Sequence, residues 1–431
     1  MTRSSSYRVS RRSFLKGAAM AGAGLALSGC AVPGAAPAAK IGGKIDYWHH
    51  YTSESEMAGL KAGEESFAKK YAGATAASVT IPNADFMAKF TLAVQGGGKP
   101  DTTMVAAARV PDMVAMGGLQ DLTDRIKAWD QRKNFPDWYF DAATVKGKIY
   151  GVPSFMFVDW MYYRADWFAE KGVKPPTTFD EMTEAAIKMT DPALGRVGFA
   201  MRGGSGGAAM VTQVIRAFGS PLVVDGKAAL DVAKTTDALK WYTELYTKHK
   251  AVAPSVTNDS FAQIMAAFRT GKAAMVWHHT GSLVDIITDL GGDGKKFLPL
   301  PRPRGPAALI NDVTPSYNGI VDPKNIETSW AWLTHWADKD TLITLMEKTG
   351  YVPSNQIAAQ DDRIVKNPLY GAAFKALAGG TVAPAFAGQP GWEASVILPT
   401  FQRILLGELT PAAGADALAK GLDSAVKGTL K

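Results

Sequence analysis

Two adjacent histidine pairs, His49-His50 and His278-His279, hold four of the six histidines in the chain. Each pair follows an apolar run of strand character. Neighbours on a strand point to opposite faces, so each pair can offer one imidazole to a shared site. Zinc would want a third ligand and usually a helical HExxH or HxH spacing, and neither is present; no metal and no other cofactor are expected. The expected role is a hydrogen bond to a ligand or to buried backbone. Covalent chemistry finds no foothold either. There is no GxSxG elbow, the only cysteine is Cys30, and the chain is not expected to be an enzyme. GxxxxGK[ST] does not occur, and Gly203-Gly204-Ser205-Gly206-Gly207 lacks both the GxGxxG spacing and a lysine, so it reads as a loop. What remains is recognition by aromatic rings set beside polar groups: Trp48, His49, His50, Tyr51; Phe157, Asp159, Trp160; Arg202; Trp277, His278; Tyr351; and Trp392. Sugars present apolar C–H faces and equatorial hydroxyls, and flat rings paired with planar or charged groups suit both.

These residues fall at the ends of expected strands or in loops, where α/β sheets bind ligands beyond the carboxyl ends of their strands. The fold class is α/β, because short apolar runs alternate with helical patterns from residue 41 onward. Strands are expected at Gly43–Trp48, Thr103–Ala107, Trp160–Arg164, Val197–Met201 and Ala273–Trp277. Ser53 with Glu56 forms a capping box opening a helix with apolar face Met57, Leu60, Phe67 and Tyr71, and Thr178 with Glu181 forms a second box. Phe261, Ile264, Met265 and Phe268 fall at helical spacing before Gly271, and Thr410-Pro411 opens a helix carrying Leu418, Leu422 and Val426. Trp241, Trp330 and Trp336 sit within helical patterns and are assigned to the core. About 390 residues exceed one hydrophobic core, so two lobes are expected, with the chain crossing between them more than once.

The chain has 431 residues, 47% hydrophobic and 20% charged, which excludes a disordered tail or a collagen-like fibre. Its net charge of +7 invites a nucleic-acid reading, but the location of that charge argues against one. Arg3, Arg8, Arg11, Arg12 and Lys16 precede residue 30 with no Asp or Glu among them, leaving about +2 on the remainder. Paired arginines before an apolar run from Gly17 to Gly29 resemble a twin-arginine export signal. That run is too short to span a bilayer. Leu27-Ser28-Gly29-Cys30 resembles a bacterial lipobox, which implies lipidation of Cys30. Residues 31–40 read as a flexible tether.

Gly98-Lys99-Pro100-Asp101, Gly117 to Leu122, Gly147 to Pro153, Tyr162 to Asp166, Pro175 to Glu181 and Phe268 to Met275 occur in order along the chain. Together they resemble family 1 extracellular solute-binding proteins, the sugar-binding components of bacterial ABC importers related to maltose-binding protein. That family usually carries Asn where Arg164 stands and Trp where Phe179 stands. The resemblance implies a type II periplasmic-binding-protein fold of two discontinuous α/β lobes joined by a hinge, residues 41–118 plus 277–326 and residues 119–276 plus 327–431. It implies a carbohydrate held between the lobes and passed to permease subunits, by a monomer on the periplasmic side of the envelope, with no nucleic-acid partner. It carries ligand contacts onto the aromatic and polar residues above, His279 included, and adds Asp101. Arg202 and the histidines suggest an alternative ligand, a phosphorylated polyol or glycerol phosphodiester. An exported polysaccharide-processing enzyme is the alternative of another class.

Overall fold

The structure is a computed structural model and describes residues 41–83, 85–367, 369–373, 381, 386 and 388–430; the signal, the tether and Cys30 lie outside the described residues. Nine strands form one mixed sheet: β1 (Gly43–His49), β2 (Ala74–Thr80), β3 (Thr102–Ala106), β4 (Val152–Tyr163), β5 (Val197–Ala200), β6 (Ala273–His279), β7 (Leu298–Leu300), β8 (Val313–Ile320) and β9 (Val352–Pro353). The main path runs β2-β1-β3-β8-β4-β6-β5, and β7 and β9 also pair with β4. β1 lies parallel to β2 and β3, and β6 parallel to β5; β8 and β4 are antiparallel to their neighbours on the path. The β8–β4 register shifts between Pro315 and Tyr317, where proline has no N–H to give the ladder.

Both capping boxes form. Ser53 and Glu56 close one on the helix Glu54–Lys70, and Thr178 and Glu181 close the other on Phe179–Met189. Met57, expected on the buried face of the first helix, is 40% exposed. β4 is the largest departure from expectation. It begins eight residues before Trp160, because Val152 to Val158 pair with β8 before the strand goes on to pair with β6.

Two apolar clusters flank the sheet. The first gathers Ile45, Tyr47, Phe67, Phe90, Tyr139, Phe155, Trp332, Trp336 and Tyr351; the second gathers Met161, Phe179, Val214, Tyr242, Trp277, Trp392, Phe401 and Leu418. β4 serves both, giving Phe155 and Val158 to the first and Met161 and Tyr163 to the second. The segmentation expected from the resemblance needs correcting on this point. Leu119 to Phe155 and Ala331 to Ala373 pack with the first cluster, not the second. The cause is a close approach of helices. A Cβ on Gly63 would stand 2.5 Å from the Trp336 ring, and one on Gly59 would stand 2.9 Å from Leu345. These two glycines let the helices Ile326–His335 and Lys339–Thr349 lie against Glu54–Lys70, where Trp332 packs edge-on to Tyr47 and Phe67 at 5.2 and 5.0 Å.

Candidate functional site

β1 ends at His49 and β6 ends at His279, which lies opposite Asp159 of β4 in the antiparallel register. Pairing therefore brings residues far apart in sequence to one edge. The His49 ring lies 5.1 Å from Tyr51, and Tyr51 is near-parallel to Tyr351 at 6.3 Å. Tyr351 stacks on Phe155 at 4.3 Å and meets Phe157 edge-on at 4.9 Å; Phe157 lies 4.5 Å from His279, which is 4.0 Å from His278. The Tyr351 hydroxyl donates to Glu56 Oε1, so the acid of the capping box also fixes this ring.

All four histidines of the two pairs are held neutral. Burial pushes His49 down to about 4. Burial, reinforced by Arg109 and His49, lowers His50. Burial lowers His278, helped by His279, Arg202 and Arg302, and burial with the two arginines takes His279 to about 3. His49 Nδ1 accepts the Tyr51 N–H at 3.2 Å and His279 Nδ1 accepts the Gly281 N–H at 3.1 Å, so in each the remaining proton sits on Nε2. His278 Nδ1 pairs with Ser282 Oγ at 2.8 Å. A groove of about 320 Å³ opens beside His278, lined among others by Ser53, Phe261, Met265, Ser282 and Asp285.

The other half of the arrangement is charged. Asp159 accepts from Gln213 Nε2 at 2.6 Å and lies 3.6 Å from Arg302 Nη2, while Arg302 lies over the Trp277 ring at 4.9 Å. Arg202 feels Asp159, and burial brings its guanidinium down to about 10. Beyond β3, Arg109 is anchored to the Asn83 carbonyl and side chain at 2.9 and 2.7 Å and lies over Phe86, against which His50 packs edge-on. Facing it is Glu393, whose carboxyl is raised by burial and lowered in turn by Gln389 and Arg109. Glu393 opens a π-helical turn, Glu393–Ile397, a distortion that recurs at functional sites.

The structure thus brings together His49, His50, Tyr51, Phe157, Asp159, Arg202, Trp277, His278 and Tyr351. Four expected site residues fall elsewhere. Asp101 lies at the amino end of β3, the wrong end of the strand, where it accepts from Asp46 N and Asn325 Nδ2 and ties loop to sheet. Trp160 is fully enclosed in the first cluster. Trp392 is enclosed in the second and donates Nε1–H to the Leu418 carbonyl at 3.1 Å. Trp48 alternates with His49 along β1 and packs against the first cluster. Residues not expected from sequence take their place: Glu56, Arg109, Gln213, Arg302, Gln389 and Glu393. Arg109 was within reach of sequence reasoning, since it follows the carboxyl end of β3. Among the described residues no group of three His, Cys, Asp or Glu is placed to hold a metal ion, and no helix is long and apolar enough to cross a membrane.

A profile of bacterial extracellular solute-binding proteins matches residues 65–372, and the chain belongs to that family. Residues 8–28 match the twin-arginine translocation signal sequence. Among curated proteins the chain is 25% identical over 155 residues to a mannitol-binding protein of Pseudomonas aeruginosa, covering 35% of each chain. It is 25% identical over 221 residues to an erythritol/L-threitol-binding protein of Mycolicibacterium smegmatis, covering 46% of each. The matches thus span between a third and a half of those relatives. Among solved structures, the GacH receptor of Streptomyces glaucescens superposes with a TM-score of 0.82 at 21% identity, over 90% of this chain and 99% of that one. The fold is therefore that of the two-lobed periplasmic binding proteins.

Proposed function

We propose that this protein captures a sugar or polyol between the two clusters of the fold, closes over it, and delivers it to the permease subunits of an ABC importer, with no bond chemistry. The supporting observation is that, of the buried side-chain polar atoms with no partner among the described residues, seven gather at this site: His49 Nε2, His50 Nδ1, Arg109 Nη1, Gln213 Oε1, Trp277 Nε1, Arg302 Nε and Gln389 Oε1. Others, such as Trp160, Trp332 and Trp336 Nε1, lie in the core. Each of the seven costs about 1–3 kcal/mol when left unpaired, and ligand hydroxyls, which both donate and accept, recover that cost. Neutral imidazoles carrying Nε2–H suit hydroxyl oxygens, and the half-buried Phe157 ring suits C–H faces. The named ligands of similar proteins, mannitol and erythritol or L-threitol, and the acarbose complex of GacH, point the same way. The working unit is a monomer on the periplasmic side of the envelope, anchored by lipid on Cys30. β4, which gives side chains to both clusters, is the hinge.

A thermal-shift screen of the mature protein against monosaccharides, disaccharides and polyols tests this reading. A ligand at a hundredfold excess over its Kd stabilises by about 2.7 kcal/mol. A melting temperature unmoved by every member would refute it. Mass spectrometry of the membrane fraction tests the anchor: an unmodified Cys30 thiol removes it.

A further inference from the structure

We propose that the captured carbohydrate is an acid, and that its carboxylate docks on Arg202. The inference rests on the sugar- or polyol-binding reading above and narrows it. Its basis is a count of the charges around Asp159 and Asp312. Three guanidiniums, Arg202, Arg216 and Arg302, gather about two carboxylates, Asp159 and Asp312. Asp312 is saturated: Arg216 Nη1 reaches its oxygens at 2.7 and 2.8 Å, and Thr381 Oγ1 donates to it at 2.9 Å. Its backbone carbonyl accepts the Asp159 N–H at 2.8 Å, which locks the two acids side by side. Asp159 is shared between Gln213 and Arg302, and Arg302 is only 4% exposed. Arg202 forms no ion pair among the described residues. One positive charge is left over.

The neighbours do not cancel it. His278 and His279 are neutral, and both feel Arg202 and Arg302 as nearby cations. Nor is there an acidic side chain held in reserve, because the residues outside the described set include no aspartate or glutamate. Every acidic side chain of the chain is already in place. A partly buried guanidinium without an anion is costly, and an incoming anion relieves that cost.

Arg202 is also held ready. Its Nε donates to the Ser205 carbonyl at 2.6 Å, and its terminal nitrogens have no partner among the described residues. Gly206, at φ +81°, lies directly against the guanidinium, where any Cβ would collide with it. Gly206 and the Ser205 carbonyl are therefore the bed on which this guanidinium rests. A planar fork fixed at Nε, with its outer edge free, matches a carboxylate. A surplus of one charge fits a monoanion better than a phosphate dianion.

Calorimetric titration of the mature protein with matched pairs tests this directly: mannitol and mannonate, glucose and glucuronate, galactose and galacturonate, and glycerol and glycerol 3-phosphate. At least one sugar acid is expected to bind about tenfold or more tightly than its neutral partner at low ionic strength, with the advantage shrinking as salt rises. The readout is the ratio of acid to neutral affinity: Arg202→Gln should bring that ratio to about one, and Arg202→Lys should keep part of it. Neutral members that bind as tightly as their acids overturn the proposal and leave sugar binding standing. A gain for glycerol 3-phosphate alone overturns the carboxylate assignment. No heat from any pair strikes at the sugar-binding reading itself.

Discussion

On the first cluster's side of the site the side chains are rings held by other rings: His49, Tyr51, Phe155, Phe157 and Tyr351, with His279 across from them. On the second cluster's side they are ions: Asp312 held by Arg216, Asp159 held by Arg302, and Arg202 beside them with no ion pair among the described residues. The first arrangement is neutral, supplies flat apolar faces, and leaves imidazole Nε2–H groups as donors. The second is charged, directional and expensive to bury. The contrast teaches that shape and charge come largely from different sides of the site, Arg109 over Phe86 and Glu56 beside Tyr351 being the exceptions, so each can be perturbed while the other is watched.

The largest effect is expected on the charged side. Arg216→Met strands Asp312 in a site where burial already raises its carboxyl, and should cost about 3–5 kcal/mol of stability by denaturant unfolding. Removing both charges, Arg216→Met with Asp312→Leu, should restore most of it, since a buried pair replaced by apolar groups is often neutral. A double variant as unstable as the single one would show that the pair positions the strands rather than balancing charge.

The ring side should respond to acid. His49 titrates near 4 in the folded chain against about 6.5 unfolded, so below pH 6.5 the unfolded chain takes up a proton that the folded one refuses. Stability is therefore complete above pH 6.5 and is lost as pH falls from 6.5 towards 4. The slope is about 1.4 kcal/mol per pH unit, or about 3 kcal/mol over the window for this one residue. His50, His278 and His279 add in the same direction. His49→Asn should flatten the dependence of melting temperature on pH; an unchanged slope would remove His49 as a source of acid sensitivity.

Sequence reasoning reached the ring side further than the charged side, and the reason is physical. Adjacent histidines at the end of an apolar run announce a strand end, and register then decides their neighbours. Trp160 and Trp392 carry the same aromatic signal as Phe157, yet they lie in the core. Which face of a strand or helix turns inward depends on partners far along the chain. Gln213 sits inside the helix Gly207–Ala217 and Arg302 just past β7, where nothing nearby marks them out. Asp101 shows the converse: a motif residue at the amino end of its strand does structural work. The lobe boundary was hidden for a related reason. Gly59 and Gly63, one helical turn apart, were the visible sign that another helix lies close, and only the packing names it as Ile326–His335 and Lys339–Thr349.

The smallest effect separates the two uses of a ring. Tyr351 presents a face to Phe155 and a hydroxyl to Glu56, and Glu56 in turn receives the Thr52 and Ser53 N–H groups at 2.7 and 2.9 Å. Tyr351→Phe keeps the face and removes one hydrogen bond to a charged acceptor, a loss of about 1.5–3 kcal/mol where the acceptor is buried. Glu56 keeps its two backbone donors and is partly open to solvent, so the loss should fall at or below the low end of that range. If the ring acts by its face, ligand affinity measured by calorimetry should stay within about twofold of the parent, since the lost bond is internal. An affinity loss of tenfold or more at unchanged stability would mean that the hydroxyl, or the orientation it gives Glu56, touches the ligand. The ring side would then share the directional chemistry assigned above to the charged side alone.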